Sequence, residues 1–167
     1  GQYDSLLTEN GLKQVAALRK RFEKEQVDAC YSSDLIRTRM TAKAIYEPIH
    51  LPLQTDPRFR EIRMGIWEEV PFGEVGQHEK HLLDTFNEDP AHWVIPGAER
   101  YEEYTGRFLA AMTEAAEAHD GQSIAIFSHG SVIRGVLMRL FYGADHPEQT
   151  GHCDNTGVTL LEYEAGQ

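Results

Sequence analysis

Residues Ile124 to Arg134 read Ile-Ala-Ile-Phe-Ser-His-Gly-Ser-Val-Ile-Arg. The apolar run Ile124, Ala125, Ile126, Phe127, preceded by the turn signal Asp120-Gly121-Gln122, predicts a strand buried on both sides. Past Ser128-His129-Gly130, apolar residues recur at helical spacing, with Ile133, Val136, Leu137, Leu140 and Phe141 on one face. A strand therefore runs straight into a helix. In open α/β sheets ligands bind outside the carboxyl ends of the strands. The free N–H groups of a helix start favour an anion there. His129 stands where a phosphate or carboxylate would be received; the alternative is a histidine satisfied at a helix cap.

The same junction occurs once more, upstream. Val27 to Tyr31 reads as a short strand, Ser32-Ser33-Asp34 supplies capping residues, and a helix is expected from about Leu35 to Tyr46, ended by Pro48. Arg37 lies in its first turn. Further elements alternate with these two. Thr8 caps a helix reaching about Glu25, and Leu51 to Thr55 reads as a strand. A helix is expected from about Glu74 to Phe86 and another from about Arg100 to Ala118, where Tyr101, Tyr104, Phe108, Leu109, Met112 and Ala115 form a core stripe. A turn-rich loop follows from Gly143 to Gly151, and Val158 to Tyr163 reads as a final strand. Phe59 to Glu68 has neither period and suits a loop over a site. Residues 70–100 read as a lid or insertion, or as ordinary connecting structure. The alternation indicates one α/β layered domain.

Composition narrows the function. The 167 residues are 41% hydrophobic and 26% charged, with a formal net charge of −11, which argues against general affinity for nucleic acid or anionic membranes. The two cysteines, Cys30 and Cys153, make no disulfide framework and no metal-type spacing, and a reduced, cytoplasmic setting is expected. The histidines other than His129 fall at no ligand spacing, no Gly-x-Ser-x-Gly elbow surrounds Ser128 or Ser131, and no Walker-type loop is present. Parallel strands would bring Arg37 and His129 to one crevice. A guanidinium matches phosphate oxygens with a fixed fork of donors, a protonated imidazole would add a second cation, and Glu61 would serve as a general acid if burial raised its pKa.

Five stretches carry a resemblance. Ser32 to Ala42 resembles the second-arginine motif of the histidine phosphatase superfamily, the phosphoglycerate mutase-like enzymes. Arg60 to Glu68 is similar to the acid-bearing loop of its phosphatase branch, which includes α-ribazole phosphatases and broad-specificity relatives, and Phe127 to Arg134 to its second-histidine motif. Asp4 to Glu9 and Asn155 to Thr159 match flanking signatures. The resemblance implies a three-layer α/β/α fold, with a mostly parallel sheet and helices on both faces. It also implies a metal-independent phosphomonoesterase without cofactor, acting on a small phosphorylated metabolite through a phosphohistidine. By that resemblance Arg37, His129 and Gly130 hold the phosphoryl group, and Glu61 protonates the leaving oxygen and then activates water. Residues 1–167 would form one such domain lacking its first strand. The family's nucleophile lies in an Arg-His-Gly motif that the sequence does not contain, and it is expected upstream of Gly1. A mutase is the alternative enzyme, and an inactive phosphate-binding module the alternative if the motif is missing. A monomer and a homodimer stay open. Two stretches depart from the pattern: Glu69 stands where glycine is usual, and Pro96-Gly97-Ala98-Glu99-Arg100 where Pro-Gly-Gly-Glu-Ser is usual.

Overall fold

Strand β1 (Ala29–Ser32) is the centre of the sheet, and its neighbours come from far along the chain. The computed structural model describes residues 1–143 and 146–164. In it β2 (Leu53–Thr55) and β3 (Ile124–Phe127) flank β1, both parallel to it. The register sets Cys30 beside Leu53 and Ala125, and Ser32 beside Thr55 and Phe127. All three strands therefore end on one line.

Alternation along the strands splits the core in two. On one face Cys30, Leu53, Ala125 and Phe127 pack with Leu18 of helix α1 (Glu9–Phe22) and Ile45 of helix α2 (Ile36–Tyr46). On the other, Tyr31 and Ile126 pack against a larger cluster. It is built on helix α5 (Tyr101–Glu117), through Tyr101, Tyr104 and Phe108, and on helix α6 (Gly130–Leu137), through Val132 and Val136. Helices cover both faces of a parallel sheet, the three-layer arrangement expected.

Several boundaries differ for physical reasons. All four residues of β3 are only half-buried. In the order β2-β1-β3 it is an edge among the described residues, so full burial falls to β1, where Cys30 and Ser32 are inaccessible. Residues 158–163 form no strand. A strand exists by backbone pairing with a neighbouring strand, no strand among the described residues forms a ladder with this segment, and Leu160 stays 87% exposed. The helix expected over Glu74 to Phe86 is two: α3 (Phe72–His78) and α4 (Lys80–Glu88). Glu79 leaves helical geometry between them and accepts a 2.6 Å bond from the Trp67 indole N–H. Past α6 the chain winds into a π-helical turn, Met138–Tyr142. That shift buries Met138 and turns Leu140 and Phe141, expected on the apolar face, into solvent. Of the loop expected at 143–151, positions 144 and 145 lie outside the described residues. No described helix is long and apolar enough to cross a membrane. Cys30 and Cys153 are free thiols.

Candidate active site

The common line of strand ends places the first groups. Ser33 follows β1 and its N–H donates to Phe127 O at the end of β3 (3.0 Å), so Ser33 and the Ser128-His129 turn are neighbours. His129 caps α6 in extended geometry and is 7% exposed. Its Nε2 lies 2.8 Å from Ser33 Oγ, which lies 2.6 Å from Thr38 Oγ1. The Thr38 hydroxyl donates to Leu35 O at 2.8 Å. With that single proton committed, Ser33 donates to Thr38 and accepts from His129 Nε2–H, which assigns the tautomer.

Burial, and next the charge of Arg37, push the His129 pKa down to about 3. The imidazole is therefore neutral at pH 7, not the second cation expected from sequence. Desolvating an imidazolium beside a guanidinium is unfavourable.

Arg37 is on the first turn of α2 and its guanidinium is half-buried. It donates through Nη1 to Tyr3 O (2.7 Å) and through Nη2 to Gly1 O (2.9 Å). The α2 start is not capped by Ser32, Ser33 or Asp34. Ile36 N–H donates instead to Asp4 Oδ1 at 2.8 Å, a cap supplied from 32 residues upstream. Asp34 is used elsewhere, gripping Arg60 with two 2.6 Å bonds.

Glu61 is 8% exposed and its carboxylate sits at the start of α6. Oε1 accepts from Ile62 N and Val132 N, both at 2.9 Å, while Oε2 accepts from Ser131 N at 3.1 Å. Oε1 is thus saturated and Oε2 keeps a lone pair for another partner. Gly130 N–H, the remaining donor of that turn, has no hydrogen-bond partner among the described residues. A Cβ on Gly130 would stand 3.3 Å from Cys153 O, so the residue also permits a close approach. The charge of Glu61 acts on Arg37, and the charge of Arg37 acts on His129. The structure brings Arg37, His129, Glu61 and Gly130 to one end of the sheet.

The residues that aim Glu61 were not singled out from sequence. Arg107 of α5 uses all five of its N–H donors. Nε and Nη2 bind Glu99 at 2.7 and 2.9 Å, Nη1 binds Arg58 O (2.6 Å) and Arg60 O (2.9 Å), and Nη2 also binds Glu61 O (2.9 Å). Glu99 Oε2 accepts from Arg63 N at 2.8 Å. The pair therefore fixes the backbone on both sides of Glu61. A signal was present: Tyr104, Arg107, Phe108 and Ala111 follow the i, i+3, i+4, i+7 pattern, a cation set within a core stripe. Downstream, Gly65 has φ 55° and a Cβ there would overlap Pro96 O, so the loop closes only with glycine. Arg100 starts α5 in an exposed position, its N–H donating to Glu103 Oε2 at 2.8 Å. Among the described residues no group of three or more His, Cys, Asp or Glu could hold a metal ion.

Comparison with known proteins follows the same lines. The sequence profile of the histidine phosphatase superfamily (branch 1) matches residues 1–167. A probable phosphoglycerate mutase, GpmB, of Yersinia pestis is 30% identical over 164 residues, covering 98% of this chain and 76% of that protein. The solved structure of Bacillus stearothermophilus YhfR superposes with a TM-score of 0.90 at 29% identity, covering 98% of this chain and 81% of the other. A mycobacterial glucosyl-3-phosphoglycerate phosphatase, solved with inorganic phosphate, gives 0.79 at 25% identity over 93% of this chain and 79% of that one. Profile, relative and fold agree with the geometry at the strand ends, and the chain belongs to the histidine phosphatase superfamily, branch 1.

Proposed function

We propose that the protein is a phosphomonoesterase that hydrolyses a small phosphorylated metabolite through a phosphohistidine, without a metal. The observation that carries the reading is the convergence of a half-buried guanidinium, an imidazole and a carboxylate with one uncommitted lone pair at the ends of parallel strands. The Arg37 fork and Gly130 N–H bind the phosphoryl oxygens, and neutral His129 takes up a proton as the dianion enters, adding charge where the transition state needs it. None of the histidines stands in an Arg-His-Gly motif, so the reading requires an attacking imidazole from outside residues 1–167. That nitrogen bonds to phosphorus as the bond to the leaving oxygen breaks, and Glu61 Oε2 gives this oxygen its proton. Glu61 then accepts a proton from water as the water oxygen displaces the imidazole, releasing inorganic phosphate.

The full-length protein is expected to hydrolyse p-nitrophenyl phosphate at the same rate with and without EDTA. Complete loss in chelator would overturn the metal-free mechanism. A mutase is the second reading, favoured by the name of the Yersinia relative. Interconversion of 2- and 3-phosphoglycerate faster than their hydrolysis would select it. Phosphate binding without turnover of any ester would select a binding module.

A further inference from the structure

Glu68 ends the acid loop, and the proposed reaction does not use it. Its backbone is fixed: Trp67 beside it is buried, and the Glu68 N–H donates to Gly65 O at 3.0 Å. Its side chain reaches a segment far away in sequence. Oε1 accepts from Gln2 N (2.9 Å) and Met64 N (2.8 Å), and Oε2 from Gln2 N (2.9 Å) and Tyr3 N (3.2 Å). Gly1 lies so close that a Cβ there would overlap Oε2. Burial opposes the Glu68 charge, but the Met64 and Gln2 N–H groups favour it, and its pKa lies below the ordinary carboxylate value.

Arg37 holds the same segment from its other side. Its hydrogen bonds among the described residues go to Gly1 O and Tyr3 O. Gly1 O and Gln2 N–H belong to one planar trans peptide unit, so they point opposite ways. Glu68 takes the N–H and Arg37 the C=O, and the unit is a rigid spacer between carboxylate and guanidinium. Gln2 also donates through Nε2 to Glu61 O at 3.0 Å, but Arg107 already holds that carbonyl. The Arg37 guanidinium has no such second support among the described residues, so loss of Glu68 would fall on Arg37.

We infer that Glu68 is a positioning residue for phosphate binding, setting the direction of the Arg37 guanidinium through the Gly1–Gln2 peptide. The inference rests on the reading of Arg37 as a phosphate ligand. The Glu68 charge also acts on Arg37, and a carboxylate near an anion site repels the anion. Removing Glu68 would therefore tighten phosphate binding if only its charge mattered, and weaken it if its position does.

Calorimetric titration of the full-length protein with inorganic phosphate separates the two. Glu68→Ala is expected to weaken phosphate binding about tenfold, and Glu68→Gln, which keeps one acceptor oxygen, about threefold. Arg37→Lys keeps the charge but not the fork of donors. In that background either Glu68 variant is expected to change phosphate binding by less than about twofold. Circular dichroism checks that each variant is folded, and Glu68→Gln in the two backgrounds carries the test if Glu68→Ala does not fold. Binding as tight as wild type, or tighter, in the folded Glu68 variants would overturn the inference, as would an equal loss in both backgrounds. Unchanged phosphate binding in Arg37→Ala would instead overturn the reading of Arg37, and the inference with it.

Discussion

At the scale of single residues, the site is set by which lone pairs and protons are already committed. Glu61 offers one open lone pair on Oε2. In the proposed role of proton donor it matters most when the leaving oxygen is a poor leaving group. Glu61→Gln is expected to slow alkyl phosphate hydrolysis by about 10²–10⁴-fold and p-nitrophenyl phosphate hydrolysis far less. Equal slowing across leaving-group pKa would remove the role. His129 makes a second prediction. Its pKa falls from 6.5 to about 3 on folding. Between those values the unfolded chain holds a proton that the native protein does not. This contribution to stability is fully present above pH 6.5 and is lost as pH falls towards 3. Between pH 7 and pH 5, above the range of ordinary carboxylates, it amounts to about 2 kcal/mol. Urea unfolding of the wild type and His129→Asn at the two pH values is expected to show a flatter dependence in the variant. Sequence could place His129 at a strand end, since that follows from local pattern. It could not give the protonation state, because burial and Arg37 come from other parts of the chain.

At the scale of elements, loops and helix ends carry what periodicity does not encode. Glu69 departs from the family's glycine, and its φ is 65°, in the left-handed region. Relieving that strain outweighs the entropy a glycine adds to the unfolded chain, so Glu69→Gly is expected to stabilise the protein by about 0.5–1 kcal/mol. A lower melting temperature in that variant would show that Glu69 makes a compensating contact. The Arg107–Glu99 pair, with side chains 18% and 10% exposed, joins α5 to the acid loop. Arg107→Met leaves a buried carboxylate and three loop carbonyls without their donor. The expected loss is about 3–5 kcal/mol in chemical denaturation. In the folded fraction kcat is expected to fall with KM little changed, because the pair positions the Glu61 backbone and is not among the groups proposed to bind phosphate. Partial recovery of stability with Glu99→Leu added would identify the unpaired charge as the main cost. The acid loop is legible in sequence as a stretch of mixed character, while its anchor, eight residues past Glu99 on a helix, is legible only once α5 is packed against it.

At the scale of the whole molecule, the net charge of −11 repels anions at long range, yet the site gathers a guanidinium and a helix start at one sheet edge. Screening over about 8 Å at physiological ionic strength lets the near charges dominate there. The alternation of apolar runs and helical stripes by itself determined the parallel α/β layering, the order of the strand-to-helix junctions and the positions of Arg37 and His129 just beyond strand ends. These depend on the period of side chains along one segment. Only the tertiary structure decided the Asp4 cap on α2, the neutral imidazole, the Arg107 clamp, and the non-strand conformation of residues 158–163. Each of these depends on the partner, charge or solvent exclusion that a distant segment supplies, and local sequence holds no record of which segment arrives.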